Sequence, residues 1–526
     1  MAARAAKPWR GAEPFSAGTV RLERDVRFMT TPRIASDPST DRAYQEALGF
    51  LWQRINYERT APATYPAADF RLARMHRLMA LLGDPHLGLP VVHVAGTKGK
   101  GSISTMVAEA IRRNGLRVGL YTSPHLERIE ERYVLDGRPC LPAELVRLVE
   151  WVRPAVEQLD RWAASRGERG ATFFEITTAM AFGYFAHQGV DLAVLEVGMG
   201  GRLDSTNVCR PELCIISAIS FDHTRQLGNT LSAIASEKAG IIKRHVPVVT
   251  SVRDEEPLQV IRHKAAEQQA PLYELGQAFA IRLLTESDTL TQEQLELGGG
   301  DGFTYHEPPQ GPPLGRPLRL SMLGAHQCEN AGAALAALRR LGERGWPINE
   351  ATAQRAVAET RVPGRLELAA VHPAVLLDVA HNPASIAALV KVVRRLPVGA
   401  WTFVVAFSRD KDIPAMLRTL LPVARALVIT RFTTNPRSAQ PEKVAAMARR
   451  LTSEINVTPN IYTVEDPHQA WQKAWSQVES GGGICVTGSF FLVGELRQRV
   501  LAEVPRRPDV APLPAQEPSC DKLAAM

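Results

Sequence analysis

A glycine-rich loop that could hold phosphate lies between an apolar run and a helical pattern. Its sequence is Val-Ala-Gly-Thr-Lys-Gly-Lys-Gly-Ser, from Val94 to Ser102. The apolar run from Val91 to Ala95 predicts a buried parallel strand, and the pattern from Ile103 to Arg113 predicts a helix. A strand, a glycine-rich turn and a helix N-terminus together aim backbone N–H groups at a phosphate. The sequence therefore predicts a protein that uses a nucleoside triphosphate.

The loop differs from the common Walker A form. The pattern G-x-x-x-x-G-K-[ST] would require glycine at Val94 and Ser or Thr directly after Lys100, but Gly101 follows Lys100 here. Lys100 adds a positive charge that can reach the terminal phosphates, and Ser102 adds a hydroxyl. The residues expected to contact phosphate are Gly96, Thr97, Lys98, Gly99, Lys100, Gly101 and Ser102.

Polar clusters end three further predicted strands, at the edge where open α/β sheets bind ligands. They are Tyr121–His125, Glu196–Gly201 and Ser220–Thr224. Glu196 follows four apolar residues, and a buried carboxylate has to be paired or bound to a metal. A glutamate that caps the next turn and a histidine in an ordinary loop are the alternative. The candidate ligands for Mg²⁺ beside phosphate are Ser123, Glu196 and His223.

The composition is that of a water-soluble globular protein with more than one domain. The chain has 526 residues, of which 45% are hydrophobic and 22% charged. The net charge is +7, but no basic stripe is interleaved with aromatics, which argues against nucleic-acid binding. No apolar run is long enough to span a membrane. Six scattered cysteines without a C-x-x-C pair predict a reduced, cytoplasmic protein.

Alternating apolar strands and amphipathic helices predict an α/β protein. We expect a P-loop domain with a doubly wound, mostly parallel sheet, followed by a second, Rossmann-like α/β domain. Residues 270–320 predict short antiparallel strands and a loop. The predicted boundaries are a disordered leader at 1–42, the first domain at 43–360, the second at 361–500 and a disordered tail at 501–526.

Taken together, the motifs resemble those of the folylpolyglutamate synthase/dihydrofolate synthase branch of the Mur ligase family. The two most specific strings are Gly-Gly-Arg-Leu-Asp-Ser-Thr-Asn and Val-Thr-Gly-Ser-Phe-Phe-Leu-Val-Gly-Glu. The matching segments run in family order: His93–Ser102, Tyr121–Leu126, Glu196–Asn207, Asp222–Gly228, Ser236–Lys243, Gly324–Asn330, Pro363–Glu367, Asp378–Pro383, Asp410–Asp412 and Val486–Glu495.

The resemblance implies an ATP-dependent amide ligase with one or both of two activities. It would join L-glutamate to dihydropteroate, to the γ-carboxylate of folate polyglutamates, or to both, through an acyl phosphate. The first domain would bind ATP and the pterin, and the second would be the glutamate-ligase domain. The implied cofactors are ATP, two Mg²⁺ ions, K⁺ as an optional further cation and a CO₂-derived carbamate on a lysine. The implied partners are small molecules only, and the implied state is a monomer.

The family's nucleotide and metal contacts carry over by motif. Lys100 would meet the distal phosphates, Ser123 and Glu196 would ligate one Mg²⁺, and His223 a second. Lys238 matches the carbamylated lysine, with an exposed helix lysine as the alternative. His381 would face the transferred phosphate. The remaining implied nucleotide contacts are Asn330, Arg365 and Asp378. For Arg365 and Asp378, a surface ion pair or a turn cap is the alternative.

The family's pterin contacts carry over less firmly, since Phe173 and Phe174 are equally suited to a core. The implied substrate residues are Phe173, Phe174, Glu175, Leu203, Asp204 and Ser205. The chain departs from the family at Lys98, where Asn is usual, and at Val379, where Gly is usual. A β-branched residue avoids positive φ, so Val379 puts only the local backbone conformation in question.

Two other functions fit part of the sequence. A Mur ligase that builds a peptide on a cell-wall nucleotide would need an extra UDP-binding domain, and residues 43–90 are too few to form one. A regulatory P-loop NTPase without ligase activity would need neither Lys238 nor the second domain's Asp378 and His381. Whether ADP release depends on both pterin and glutamate distinguishes the folate ligase from such an NTPase.

Overall fold

The computed structural model describes residues 38–56, 58, 72–284, 290–291 and 299–505 of the chain. Its α-helices are, in chain order, α1 Pro38–Trp52, α2 Leu72–Leu81, α3 Lys100–Arg113, α4 Pro142–Ala164, α5 Phe173–Gln188, α6 Thr224–Leu227, α7 Leu231–Ala239, α8 Glu255–Glu267, α9 Ala325–Glu343, α10 Glu350–Glu359, α11 Pro383–Val393, α12 Ile413–Leu420, α13 Pro441–Ile455, α14 Pro467–Trp475 and α15 Phe490–Glu503.

The strands number seventeen within those described residues. They are β1 Val91–Ala95, β2 Val118–Tyr121, β3 Tyr133–Leu135, β4 Arg138–Pro139, β5 Leu192–Glu196, β6 Leu213–Ile216, β7 Val248–Thr250, β8 Leu272–Glu274, β9 Ala280–Leu283, β10 Gly302–His306, β11 Leu318–Arg319, β12 Glu367–Val371, β13 Ala374–Leu377, β14 Trp401–Val405, β15 Ala424–Ile429, β16 Asn460–Thr463 and β17 Gly483–Thr487. Short 3₁₀ turns lie at Ile129–Arg132, Ser205–Val208 and Leu421–Val423.

The first sheet has eight strands in the order β4-β3-β2-β5-β1-β6-β7-β8. From β2 to β8 all neighbours are parallel, and β3 and β4 add an antiparallel edge. Side chains alternate between its faces. Val92 and Val94 pack with α3 and α9, whereas Val91 packs with α4 and α5. Burial on both faces explains the continuous apolar runs that predicted these strands.

The segment between residues 270 and 320 begins with β8, a parallel strand of the first sheet, and then forms the antiparallel strands that the sequence predicted. Strands β9, β10 and β11 make a three-stranded sheet in the order β11-β10-β9, in which both pairings are antiparallel. Phe303 and Tyr305 of β10 join the core that α9 also contributes to. This small sheet therefore anchors the start of α9, which carries Asn330.

The second sheet has six strands in the order β12-β13-β17-β14-β15-β16. The five strands from β13 to β16 in that order are parallel, and β12 is an antiparallel edge. Phe403 and Val405 pack against α11, α12 and α13, whereas Val404 packs against α14 and α15. The predicted fold class, two α/β domains with mostly parallel sheets, is confirmed.

The ends of the described chain differ from the predicted boundaries. Helix α1 begins at Pro38, inside the predicted leader, because Ala47 and Leu51 are buried in the core with α4. The predicted tail begins at 501, but α15 continues to Glu503. Residues 1–37 and 506–526, together with 57 and 59–71, lie outside the described residues. Within the described chain, no helix is long and apolar enough to cross a membrane.

Candidate active site

The predicted phosphate-binding loop, Gly96–Ser102, is held in place by close contacts. These contacts leave no room for a side chain at Gly96 or at Gly99. Gly99 has φ +88°, and a Cβ there would lie 2.3 Å from Oδ1 of Asn330. A Cβ on Gly96 would lie 1.8 Å from Oγ of Ser217, whose hydroxyl donates to the Lys98 carbonyl at 2.6 Å. Ser217 follows β6, the neighbour of β1. The loop is therefore fixed to the sheet edge on one side and to α9 on the other.

Ser123 and Glu196 meet at the ends of β2 and β5, as the sequence predicted from the strand ends. The Ser123 N–H donates to Oε2 of Glu196 at 3.3 Å. Glu196 is 5% exposed, and its burial raises the pKa of the carboxyl, although Lys100 and Arg365 oppose the shift. A cavity of about 360 Å³ opens beside this pair. The pair thus presents oxygen ligands next to the phosphate-binding loop.

His223 stands on the loop after β6, at the N-terminus of α6, with φ +49°. Its side chain is 47% exposed, and Nε2 lies 3.9 Å from Oδ1 of Asp222. Among the described residues, no group of three or more His, Cys, Asp or Glu side chains is arranged to hold a metal by itself. A cation here would need phosphate oxygens or water to complete its ligand sphere.

Lys238, near the end of α7, is not the exposed helix lysine of the alternative interpretation. It is 4% exposed, and its Nζ donates to the Gly96 carbonyl at 2.9 Å. Burial, together with the charges of Lys100 and Lys98, lowers the pKa of Lys238 to about 7. An amine with that pKa is substantially neutral, and therefore nucleophilic, at neutral pH.

The second domain contributes the predicted residues Arg365 and Asp378 to the same cleft, and His381 lies on the segment that follows Asp378. Asp378 is 9% exposed and accepts from Leu366 N at 2.8 Å and from Ala380 N at 2.9 Å. Burial raises the pKa of Asp378 to about 6. The Arg365 guanidinium lies 4.9 Å from the centroid of the Phe490 ring and lines the cavity beside Glu196. Val379 does not have a positive φ. Its β-branched side chain is therefore compatible with the backbone at the position where the family usually has glycine.

His381 is neutral in this environment. Burial and the nearby charges of Lys98 and Lys411 lower the pKa of His381 to about 3. Its Nδ1 lies 2.9 Å from the Val379 carbonyl, so Nδ1 carries the proton and Nε2 is left as an acceptor. The predicted contact with a phosphate would need a donor, whereas this tautomer offers an acceptor.

Asp222 joins the two domains, although it was not among the predicted site residues. Its carboxylate lies 3.4 Å from Lys98 Nζ and 3.7 Å from Lys411 Nζ, and it accepts from Asn382 Nδ2 at 3.2 Å. Burial raises the pKa of Asp222, but His223, Lys98 and Lys411 together hold it well below its usual range. Lys411 lies in the loop between β14 and α12, at the carboxyl-end edge of the second sheet, where open α/β sheets bind ligands.

Of the predicted pterin residues on α5, Phe173 and Glu175 are buried, whereas Phe174 is partly exposed. Phe173 is 1% exposed and stacks on Trp52 at 5.1 Å, with the Arg132 guanidinium 5.2 Å from its ring. Glu175 caps α5 through Thr172 and accepts from Arg74 at 3.0 Å. Phe174 is only partly buried and packs against the loop after β5, where it meets Gly198. Of the three, Phe174 has the surface that a ligand could reach.

The predicted residues Leu203, Asp204 and Ser205 lie in the turn that follows the β5 loop. Asp204 is 6% exposed and accepts from Met199 N and Thr206 N, both at 3.0 Å. Ser205 is buried, and Leu203 is partly exposed. The Asp204 carboxylate thus shapes the loop that faces Phe174, and its hydrogen bonds are made within its own segment.

Comparison with known proteins identifies the class to which this cleft belongs. The Mur ligase middle domain matches residues 147–338, and the Mur ligase glutamate ligase domain matches residues 364–490. The dihydrofolate synthase/folylpolyglutamate synthase of Bacillus subtilis is 34% identical over 461 residues, which cover 87% of this chain and 99% of that protein. The chain belongs to the folylpolyglutamate synthase/dihydrofolate synthase family.

Other members of this family agree in sequence and in structure. The folylpolyglutamate synthase of Lacticaseibacillus casei is 30% identical over 455 residues, 85% of this chain and 98% of that one. A Mycobacterium tuberculosis folylpolyglutamate synthase complexed with ADP and AMPPCP superimposes with a TM-score of 0.75 at 30% identity, over 88% of this chain and 99% of that one. This chain is therefore an ATP-dependent amide ligase, as its sequence predicted. The alternative of a cell-wall Mur ligase is not favoured.

Proposed function

We propose that this synthase joins L-glutamate both to dihydropteroate and to the γ-carboxylate of folate polyglutamates, using ATP. One observation carries the proposal: Asp222 brings the phosphate-binding loop of the first domain and the Asn382 segment of the second to one cleft. A ligase needs such a cleft, because the carboxylate, the γ-phosphate and the amine must meet away from water. The B. subtilis relative, which is matched over 99% of its length, is named for both reactions.

The chemistry is a pair of displacements. A carboxylate oxygen of the pterin substrate attacks the γ-phosphorus of ATP, and ADP leaves. The neutral amine of glutamate attacks the acyl carbon and loses one proton, which ends on the departing phosphate; the bond from the acyl carbon to the phosphate oxygen breaks, and hydrogen phosphate leaves. Lys100 and the N-terminus of α3 offset the charge on the phosphates. The acceptor Nε2 of His381 suits an N–H group of the incoming glutamate better than a phosphate oxygen.

Magnesium fits the donor set at the first-domain edge. Mg²⁺ is usually held by one or two carboxylates together with substrate phosphates and water. Glu196 supplies a buried carboxylate with a single backbone donor on it, and the Ser123 hydroxyl lies on the adjacent strand end. His223 would serve a second ion. Bound there, the cations would neutralise charge on the transferring phosphoryl group.

A carbamate on Lys238 also fits its surroundings. CO₂ reacts with a neutral amine, and the pKa of about 7 keeps much of Lys238 in that form. The amine is buried near Lys98 and Lys100, so an anion in its place would relieve the repulsion between ammonium groups. The carbamate would supply a fixed negative charge for orienting cations. K⁺ would be an optional further cation.

The nucleotide, the pterin and the oligomeric state complete the proposal. ATP would lie between the loop, Asn330, Arg365 and Asp378, and the pterin beside Phe174. Residues from both domains of one chain line the cleft, which suits a monomer. In the described part of the chain the free cysteines are all buried, which suits a cytoplasmic protein: Cys140, Cys209, Cys214, Cys328 and Cys485.

The decisive experiment measures incorporation of radiolabelled glutamate by the purified full chain with Mg-ATP. Dihydropteroate and tetrahydrofolate are compared as acceptors, and ADP release is followed in the same reactions. We expect incorporation with both acceptors and ADP release only when acceptor and glutamate are both present. Incorporation with tetrahydrofolate alone would restrict the function to polyglutamylation, and acceptor-independent ADP release would favour an NTPase without ligase activity.

A further inference from the structure

The side chain of Arg497, on the last helix α15, is a buried cation that bonds to both domains. Its guanidinium donates through Nε and Nη2 to Glu367 at 2.9 and 2.7 Å, and through Nη1 to Glu127 at 2.7 Å. The side chains of Arg497 and Glu127 are each 8% exposed, and that of Glu367 is 12% exposed. Glu127 belongs to the first domain, and Glu367 to the second. One guanidinium therefore bridges two carboxylates from different domains.

On the first-domain side, Arg497 reaches the loop that carries Ser123. Glu127 lies four residues after Ser123, and its second oxygen accepts from Gln498 Nε2 at 2.7 Å. The same loop is held from within, because Glu131 accepts from the backbone N–H groups of Leu126 and Glu127 at 2.7 and 3.0 Å. A displacement of Glu127 would thus move the loop as a unit.

On the second-domain side, Arg497 reaches the loop that carries Arg365. The Glu367 carboxylate, besides its two bonds to Arg497, accepts from Gly364 N at 2.7 Å. The Gly364 carbonyl in turn accepts from Val379 N at 2.9 Å, next to Asp378. The guanidinium is therefore linked through Glu367 to the backbone that sets Arg365 and Asp378.

Close packing accompanies this ion-pair network. A Cβ on Gly494, one turn before Arg497 on α15, would lie 2.0 Å from the Leu126 carbonyl oxygen. A Cβ on Gly364 would lie 3.3 Å from Leu126 and 3.5 Å from Val493. The loop after Ser123, the loop that carries Arg365 and α15 are thus in direct contact at Gly494 and Gly364.

We propose that Arg497 is a positioning residue for the ligation, because its guanidinium sets the Ser123 loop of the first domain in register with the Arg365 loop of the second. The inference rests on the proposed roles of Ser123 and Arg365. Its physical basis is that a planar guanidinium fixes the directions of two carboxylates at once, which a lysine cannot do. A shift of about 1 Å between reacting groups can cost roughly a hundredfold in rate.

The test removes the interdomain half of the network and leaves the other half in place. Glu127→Ala breaks the bond to the first domain, whereas Arg497 keeps its paired bonds to Glu367. Glu127→Gln retains an acceptor oxygen. The matched control is Arg499→Ala on the same helix, whose guanidinium pairs at the surface with Glu503 at 2.7 Å. Glutamate incorporation is measured against Mg²⁺ and against ATP, and melting temperature is measured for each full-length variant.

We expect Glu127→Ala to lower kcat about ten- to a hundredfold and to raise the Mg²⁺ concentration needed for half-maximal activity. Glu127→Gln should recover part of both, and Arg499→Ala should resemble the unaltered protein. An Mg²⁺ dependence unchanged in Glu127→Ala would overturn the positioning role, whether activity is retained or lost in proportion to a drop in melting temperature. Absence of ligation by the unaltered protein would instead remove the proposed function on which the inference rests.

Discussion

Three lysine side chains gather around the phosphate-binding loop, and they differ in what surrounds each amine. Lys98 has Asp222 at 3.4 Å, and its burial lowers its pKa to about 8. Lys238 donates to the backbone carbonyl of Gly96 at 2.9 Å, and no ion pair with a carboxylate is seen for it in the described part of the chain. Lys100 begins α3, where the helix N-terminus adds positive potential. The surplus of positive charge is what an anionic triphosphate requires.

Loss of the Lys100 charge should abolish ligation without unfolding the protein. We expect Lys100→Ala to reduce glutamate incorporation by about a hundredfold or more, because a cation aimed at the transferring phosphate is lost. Circular dichroism and melting temperature should stay close to those of the unaltered protein, since the side chain is partly exposed. A folded variant with near-normal turnover would contradict the phosphate role of Lys100.

An anion at position 238 should be required for activity. Lys238→Ala should lose most ligation, and Lys238→Glu should recover part of it by supplying a carboxylate near the same place. ¹³C-bicarbonate labelling followed by NMR should detect a carbamate carbon in the unaltered protein and none in Lys238→Ala. A labelled protein without that signal, studied with Mg-ATP bound, would refute the carbamate.

The pH dependence of activity should report the same lysine. Since the pKa of Lys238 in the folded protein is about 7, against an ordinary 10.5, the neutral amine is lost as the pH falls through 7. Activity should therefore decline below pH 7, and added bicarbonate should shift the decline to lower pH. The folded protein binds fewer protons at this lysine than the unfolded chain between pH 7 and 10.5, so its contribution to stability also falls as the pH is lowered. Lys238→Glu should lack the bicarbonate effect.

Residue types and spacing found part of the candidate site and could not find the rest. Lys100 and Glu196 stand in local patterns, a glycine-rich loop and a carboxylate after an apolar strand. Asp222 meets Asn382 across 160 positions, and Arg497 meets Glu127 across 370. No local periodicity reports pairs that far apart. For Phe173, the sequence left open whether the ring contacts the pterin or belongs to the core. The structure favours the core, because the ring is stacked on Trp52.

At the scale of elements, the strand–loop–helix unit of β1 and α3 depends on a left-handed backbone at Gly99, the residue before α3. L-residues with side chains pay about 1–2 kcal/mol for that conformation. The space is also closed, since Asn330 of α9 lies within 2.3 Å of a Cβ built there. The start of α3 is consequently fixed by both backbone conformation and a neighbouring helix.

Substitution of Gly99 should therefore act on nucleotide binding. We expect Gly99→Ala to weaken ATP binding by about tenfold or more, because roughly 1–2 kcal/mol of backbone strain adds to displacement of Asn330. The matched control is Gly88→Ala, at a position with open space and no positive φ. Nucleotide titration by calorimetry measures both, and equal ATP affinity in the two variants would contradict the prediction.

Buried parallel strands were predictable, and the short edge strands were not recognised. Strands such as β1 and β14 are buried on both faces, so they appear as unbroken apolar runs. The hairpin of β3 and β4 turns at Asp136-Gly137, where both residues have positive φ. An Asp-Gly pair is a strong hairpin signal that would have indicated these strands. Strand β12 is half-exposed at both ends and offers no such signal.

At the scale of the whole molecule, closure of the two domains is visible in the contacts of Asp222. The carboxylate belongs to the first domain, and Asn382 and Lys411 of the second domain approach it at 3.2 and 3.7 Å. Lys98 of the phosphate-binding loop shares the same carboxylate. Because one carboxylate contacts both the loop and the second domain, we expect nucleotide binding to be coupled to domain closure.

Removing the negative charge of Asp222 should favour an arrangement in which the two domains are further apart. We expect Asp222→Asn to lower kcat/KM for ATP about ten- to a hundredfold, because the charge that holds both lysines is lost. Small-angle scattering with AMPPCP should show a larger radius of gyration than for the unaltered protein. Asp84→Asn, an exposed carboxylate of the same domain, serves as the control. Compact scattering together with full activity in Asp222→Asn would contradict the coupling.

The packing of α15 against the Ser123 loop also bears on how the protein is made. Domains emerge from the ribosome in chain order, and the N-terminal one folds first. Gly494 and Arg497 of α15 contact that loop, and they are among the last described residues to be synthesised. A nascent chain can thus form the phosphate-binding loop long before it can align its catalytic groups. We therefore expect a chain that still lacks α15 to bind nucleotide without catalysing ligation.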